Sequence, residues 1–378
     1  MPGSSPLPSS PDPDVRWLRH ALRLAARGRG SVHPNPMVGA VVVRDGEPAG
    51  AGFHLRAGEA HAEVGALAAA GERARGATLY VTLEPCAHYG RTPPCVEAIL
   101  AAGIARVVAC HRDPDPRVSG RGFARLHETG VAVEVGRLAA DALRLNCNWL
   151  VPRQLGRPAV TLKWAMSLDG KIAPASGRSQ WISSPAARRW AVRLRDEHEA
   201  ILVGIGTVLA DDPRLDRRGG RAAGPIVRVV LDRRLRTPPG AKLFERPGPV
   251  RIYTESADRG REERLVAAGA EVVVLPAVDP DAVLADLYRA GIGSVLVEGG
   301  AEVATAFFEA GRYDRVHAVA AARLLGGSAA RSPLGGRGRE LDEAERLEAL
   351  EARRIGGDIV MTGWNPACLR ELSKNADV

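Results

Sequence analysis

The sequence predicts two α/β domains in series, and three observations lead there. At 378 residues the chain exceeds the roughly 150 that one domain usually holds. Short apolar runs alternate with helical stretches in both halves, the pattern of strands and helices packed in layers. Between the halves, residues 139–157 pass from a helical stretch into a polar one ending in RQLGRP. The expected division is a Pro/Ser-rich disordered tail over 1–14, a first domain over 15–150, a second over 151–364 and a C-terminal tail over 365–378.

In the first domain a helix is expected from Asp14, taken as its N-cap, with Val15, Leu18, Leu22 and Ala25 on one face and an end at Gly28 and Gly30. VGAVVVR (38–44) reads as a strand, HAEVGALAAAGERA (61–74) as a helix and ATLYVTL (77–83) as a strand. A helix at 94–102, the strand RVVAC (106–110) and a last helix and strand near 120–135 complete it. The second domain opens with the strand PAVTLKWAM (158–166), then a helix at 185–197 and strands at 199–204 and 225–231. Strands at 249–253, 271–275 and 294–298 alternate with helices at 258–268 and 280–290. ERLEALEARRIGGDIVMTG reads as two strands turning at Gly356 and Gly357, an antiparallel end to the domain.

Composition narrows the function classes. An apolar fraction of 45% supplies a core for each domain and excludes wholesale disorder. No apolar run approaches the roughly 18 residues that span a bilayer, and MPGSSPLPSSPDPD lacks the regions of a signal peptide, so a cytoplasmic protein is expected. The net charge of +8 comes from 52 basic against 44 acidic residues, and only Lys163, Lys171, Lys242 and Lys374 are lysines. The arginines are dispersed and aromatics make up 4%, which argues against a nucleic-acid groove. Five cysteines in so long a chain are no disulfide scaffold; Cys86 and Cys95 form a close pair of the kind used for metal or catalysis.

The first constellation is His61-Ala-Glu63 at a helix start, Glu84-Pro85-Cys86 after a strand, and Pro94-Cys95 opening the next helix. His61, Cys86 and Cys95 make the three-ligand nitrogen and sulfur set of a catalytic zinc site with its fourth position open. Helix N-termini favour the thiolate forms. Glu63 is placed for proton transfer without ligating the metal. The order H-x-E followed by two cysteines is that of zinc deaminases, although eight residues separate Cys86 from Cys95 where the general pattern has two. In the second half, SVLVEGGAEVATAFFEAG (294–311) runs a buried strand through Glu298-Gly299-Gly300 into a helix whose N-terminus could hold a pyrophosphate. GIGTVL has Leu209 where a third fingerprint glycine would stand, and on spacing alone a plain structural turn fits as well.

TLEPCAHYGRTPPC, HPNPMVGAVVV (33–43), AGEAHAEVGAL (57–67) and DPDPRVSGRG (113–122) closely resemble the N-terminal domain of the bifunctional riboflavin-biosynthesis deaminase/reductase family. LKWAMSLDGKIA, SQWIS, ILVGIGTVLADDP and LVEGG resemble its C-terminal domain, and the likeness covers roughly residues 14–364. The resemblance implies a cytidine-deaminase-like α/β/α domain followed by a dihydrofolate-reductase-like α/β domain. It implies one Zn2+ and NADPH as cofactors and a small-molecule substrate, a diaminopyrimidinone carrying ribose 5-phosphate, with no nucleic-acid or membrane partner and a homo-oligomeric state. By position it gives deaminase substrate contacts to Asn35, His54, His88, Arg91, Asp113 and Asp115. Cofactor contacts fall to Ala165, Trp181, Thr207, Asp211, Gly300, Ala301, Glu302, Val303, Ala304, Thr305 and Ala306. Reductase substrate contacts fall to Ser179, Arg195, Leu215, Arg218 and Glu298, the arginines suiting a phosphate. Arg233 replaces a serine common in the family and suits the 2'-phosphate of NADPH equally well. Two rivals are a nucleic-acid or nucleotide deaminase with a fused reductase, and a chain in which one half serves only as a binding module.

Overall fold

The computed structural model describes residues 12–89, 93–115, 118–176, 181–218, 220, 222 and 224–374. Most of the tail expected at 1–14, together with Arg91 and Ser179, lies outside them. The chain divides into two compact units, Met1–Asn146 with Leu372–Val378, and Cys147–Glu371. No helix among the described residues is long and apolar enough to cross a membrane.

The first unit is a five-stranded sheet between two helical layers. Its elements are α1 (Pro13–Ala25), β1 (Gly39–Arg44), β2 (Glu47–Phe53), α2 (Ala62–Ala70), β3 (Thr78–Val81), α3 (Cys95–Ala101), β4 (Arg106–Ala109), α4 (Arg121–Glu128), β5 (Ala132–Val135) and α5 (Ala139–Leu145). The strand order is β2-β1-β3-β4-β5, with β1 antiparallel to both neighbours and β3, β4 and β5 parallel. Alternation along β1 sends Ala40 and Val42 toward α2, α3 and α4, and Val41 and Val43 toward α1 and α5. The N-cap of α1 is Asp12 and not Asp14: Pro13 occupies the first turn, and Asp14 turns inward to accept from Tyr80 Oη at 2.7 Å and from Arg106. β2 (EPAGAGF) carries little apolar signal, for a packing reason. A Cβ on Gly50 would run into the Ala66 carbonyl and one on Gly52 into that of Ala62, so bare backbone lets α2 lie directly on the strand.

The second unit holds α6 (Cys147–Leu155), β6 (Ala159–Ser167), α7 (Pro185–Leu194), β7 (Ala200–Gly204), α8 (Ile205–Asp211), β8 (Val227–Leu231), β9 (Val250–Thr254), α9 (Arg259–Ala267), β10 (Ala270–Val274), α10 (Pro280–Arg289), β11 (Ser294–Val297), α11 (Ala301–Glu309), β12 (Arg315–Ala321), β13 (Glu348–Ile355), β14 (Asp358–Trp364) and α12 (Pro366–Lys374). Nine strands run β10-β9-β8-β7-β11-β6-β12-β14-β13, parallel as far as β12 and antiparallel at the β14/β13 hairpin. The central strands β7 and β11 are apolar on both faces, as a parallel sheet covered by helices requires. Ala200 and Leu202 face α10 and α11, while Ile201 and Val203 face α8 and α9. Sequence reading supplied no strand at β12 and no helix at α8 or in the last residues, where α8, β12 and α12 stand. At the end of β7, a Cβ on Gly204 would lie 2.7 Å from Val303 Cγ2, so that glycine brings the start of α11 close against the strand ends.

Candidate functional site

In the first unit, two helix N-termini and one strand end meet. His61 is the N-cap of α2, Cys95 is the first residue of α3, and Cys86 lies five residues beyond the end of β3. His61 Nδ1 stands 3.1 Å from Cys95 Sγ and 3.6 Å from Cys86 Sγ, and all three ligand atoms lie within 4.8 Å of one another. A tetrahedral zinc with bonds of about 2.0–2.3 Å holds its ligands roughly 3.5 Å apart, and this set stands close to that spacing. Cys95 N–H donates to Cys86 Sγ at 3.4 Å. The Cys86 thiol is pushed down to about 4, chiefly because its thiolate accepts from the Cys95 thiol and then from His61. Cys95 goes the other way, raised by the same bond and by burial, so the pair shares one proton. Glu63, in the first turn of α2, is 3% exposed. Burial, with the Cys86 thiolate beside it, pushes its carboxyl above the usual range and readies it to carry a proton.

Asn35 and His54 stand at the same place. The Asn35 amide donates to His54 Nε2 at 3.0 Å, which leaves His54 Nδ1–H to donate to Ala60 O at 3.2 Å. The His54 and His61 rings meet edge to face at 5.4 Å. His88, two residues after Cys86, has a buried Nδ1 with no hydrogen-bond partner among the described residues. Asp113 is buried, and its carboxylate accepts from Asp115 N–H at 2.8 Å.

The second unit gathers charge beyond the end of β11. Arg195 donates from Nε and Nη2 to the two Glu298 oxygens at 3.1 Å each, and Lys163 Nζ lies 3.6 Å from Oε2. Burial favours the neutral acid, but Arg195 and Lys163 overcome it and hold the Glu298 carboxyl at about 2. Arg195 also donates to Asp216 O at 2.8 Å, and Arg218 Nε donates to Asp216 Oδ1 at 3.0 Å. Gly300 caps α11, and a Cβ there would lie 4.0 Å from Thr207 Oγ1.

A family profile described as the cytidine and deoxycytidylate deaminase zinc-binding region matches residues 11–111. One described as the RibD C-terminal domain matches residues 158–361. The riboflavin biosynthesis protein RibD of Aquifex aeolicus is 40% identical over 92% of this chain and 97% of its own. The chain belongs to the RibD family. The RibD protein of Bacillus amyloliquefaciens is 45% identical over 92% of this chain and 95% of its own. A solved Acinetobacter baumannii RibD superposes with a TM-score of 0.80 at 39% identity, covering 93% of this chain and 98% of that one. A Thermotoga maritima structure described as a diaminohydroxyphosphoribosylaminopyrimidine deaminase/5-amino-6-(5-phosphoribosylamino)uracil reductase gives 0.78 at 34% identity over 93% and 99% of the two chains. RibD proteins are bifunctional, and the fold of this chain carries both their deaminase and their reductase domain.

The remaining RibD-family expectations fall as follows. Trp181 is 61% exposed, with the Arg188 guanidinium over its ring at 4.7 Å. Ala165 is half-buried on β6, Asp211 ends α8, and Leu215 is buried with a left-handed backbone. Along α11, Ala301 and Ala306 are half-buried and Glu302 points to solvent, while Val303, Ala304 and Thr305 are buried. Thr305 Oγ1 accepts Gly335 N–H at 2.7 Å, so its hydroxyl is taken up by the loop after β12. Arg233 lies 3.3 Å from Glu255 and donates to Val278 O. Two residues of these sites were not singled out from the sequence. Lys163 could have been found as one of only four lysines in an arginine-rich chain. Glu84 stands in the sequence only as part of the Cys86 motif, and the partners that would give it a role are distant in sequence.

Proposed function

We propose that this chain deaminates a diaminopyrimidinone carrying ribose 5-phosphate and then reduces the ribosyl group of the product to ribityl with NADPH. The observation that carries the reading is the His61, Cys86 and Cys95 cluster with Glu63 buried beside it.

Zinc held by those three ligands would supply Lewis acidity that makes water a nucleophile near neutral pH. Glu63 takes up a proton from the attacking water and passes it to a ring nitrogen as the new carbon–oxygen bond forms, then takes the proton of the new hydroxyl and delivers it to the amine as the carbon–nitrogen bond breaks. Ammonia leaves and a ring carbonyl remains. Burial of Glu63 suits this shuttle, because a raised carboxyl takes up the water's proton more readily and lies closer to the working pH at which it must pass that proton on. Asn35, His54, His88, Arg91, Asp113 and Asp115 orient the pyrimidinone, with His54 fixed as the Nδ1–H tautomer by Ala60 O.

In the reductase domain NADPH would supply the hydride, and the protein supplies binding and orientation. Ala165, Trp181, Thr207, Asp211 and the stretch Gly300 to Ala306 are the proposed cofactor contacts, with Thr207 set against Gly300 at the α11 N-terminus. Arg195, Arg218 and Glu298 hold the substrate with Ser179 and Leu215, and Lys163 joins them through Glu298. Both substrates are small molecules. The chain is proposed to act in the cytoplasm as a homo-oligomer, and a light-scattering mass of one 40.1 kDa chain would contradict that last point.

Glu63→Gln tests the assignment. Ammonia release is expected to fall by a factor of about 10²–10⁴, the range of a lost general acid–base. Zinc content and NADPH oxidation on already deaminated substrate stay unchanged. Loss of both activities would argue against two separate sites.

A further inference from the structure

Glu84 is 3% exposed, and among the described residues only burial and backbone N–H groups act on its carboxyl. Its charge is met by backbone alone. Oε2 accepts from Asp113 N–H at 3.1 Å and Gly120 N–H at 2.9 Å. Oε1 accepts from Gly122 N–H at 2.9 Å and Phe123 N–H at 3.3 Å. Its own N–H donates to His111 O at 3.1 Å, extending the β3–β4 pairing by backbone into the loop.

Two facts give these bonds a purpose. Gly120 is the N-cap of α4 and has no side chain to satisfy the helix's first N–H groups. Gly122 and Phe123 are the second and third residues of that helix, the two whose N–H groups an N-cap side chain ordinarily takes. The Glu84 carboxylate caps α4 from another part of the chain. Secondly, a Cβ on Gly122 would run into Pro85 O and lie 3.1 Å from Glu84 Oε1, so the helix is seated hard against the Glu84-Pro85-Cys86 segment. The same carboxylate therefore holds two segments: Asp113, which in turn fixes Asp115, and the start of α4. The Asp113–Asp115 segment is thereby anchored two residues from the ligand Cys86.

We propose that Glu84 is a positioning residue of the deaminase, setting the Asp113–Asp115 segment at a fixed place relative to the zinc ligands. The inference rests on the deaminase reading above. Glu84 neither touches the metal nor carries a proton in the reaction; it decides where the substrate-holding loop stands. A glutamine in its place would turn an N–H2 group toward two backbone N–H groups and lose two of the four acceptor contacts. The loop is then free to shift, and ground-state binding suffers before chemistry does.

The test uses the full chain, with Glu84→Gln and Gly122→Ala assayed against wild type for ammonia release from the diaminopyrimidinone ribose 5-phosphate. Gly122→Ala leaves the carboxylate intact and displaces the helix, so it reports on the seating even if Glu84→Gln folds poorly. Both variants are expected to raise the deaminase KM by about tenfold or more. Their kcat should change less than threefold, with zinc at one per chain and the reductase rate on deaminated substrate unchanged. A kcat loss without a KM change, a loss of zinc, or no change in either variant overturns the proposal. Absence of ammonia from the wild-type chain would instead overturn the deaminase reading, and this inference with it.

Discussion

Glu298→Gln is the substitution whose cost the structure states most directly. The wild-type carboxyl is held at about 2 against an ordinary 4.5, so its ionised form is favoured in the folded protein by about 3 kcal/mol. Burial works against that form, and Arg195, joined by two bonds of 3.1 Å, and Lys163 at 3.6 Å outweigh it. A glutamine keeps the shape and removes the charge, leaving Lys163 and Arg195 largely buried beside a neutral amide, with the Asp216 carboxylate still 4.0 Å from Arg195. Breaking one side of such a pair costs about 3–5 kcal/mol. Because the folded value lies below the unfolded one, the contribution of Glu298 is fully present above pH 4.5 and is lost as the pH falls toward about 2. Denaturant unfolding followed by tryptophan fluorescence is the assay, since of the six tryptophans all but Trp17 belong to the second unit. The gap between wild type and Glu298→Gln should be about 3–5 kcal/mol and flat from pH 7 to about 5, then narrow below that. A gap under about 1 kcal/mol at pH 7, or one that does not respond to pH, would refute the reasoning.

Two further outcomes follow from packing and burial. Gly50→Val puts a side chain into the Ala66 carbonyl and pushes α2, with His61 at its N-cap, off the sheet; a stability loss of about 1–3 kcal/mol and weaker zinc retention against a chelating dye are expected, and wild-type retention would contradict it. His111 and His198 are buried, and their imidazoles are pushed down to about 4 from 6.5, chiefly by desolvation, so both stay neutral in the fold. Folded values below the unfolded ones mean that this stability is present above pH 6.5 and lost as the pH falls toward about 4. His198→Gln should flatten the tryptophan-reported midpoint over that window, and an unchanged slope would rule the assignment out.

Much of the fold was legible because its strands are apolar and its helices end in recognisable caps. AILVG and SVLV are short, apolar and rich in β-branched residues, as buried strands are, and the Asp279 side chain accepts from Ala282 N–H where a helix start was expected. The missed elements share a cause. β2 is written in glycine and alanine because α2 packs on its backbone, and β12 is largely alanine and valine, without a sharp period. α8 begins directly at the end of β7, so its residues read as the strand's terminal loop. The zinc cluster was readable because each ligand stands at or near the end of an element, where motif spacing maps onto space. Glu84 was not, since its four donors lie 29 to 39 residues further on and are backbone groups that any sequence supplies. Lys163 belongs to the Glu298 cluster only because β6 and β11 are neighbours, a pairing that no local pattern encodes.

One chain is proposed to carry two separate sites that act in a set order. Incubation of the purified protein with the diaminopyrimidinone ribose 5-phosphate, following ammonia and the NADPH absorbance band together, tests it most directly. Ammonia is expected without NADPH, and NADPH oxidation only after ammonia has appeared. Oxidation that precedes ammonia, or ammonia that requires NADPH, would contradict it.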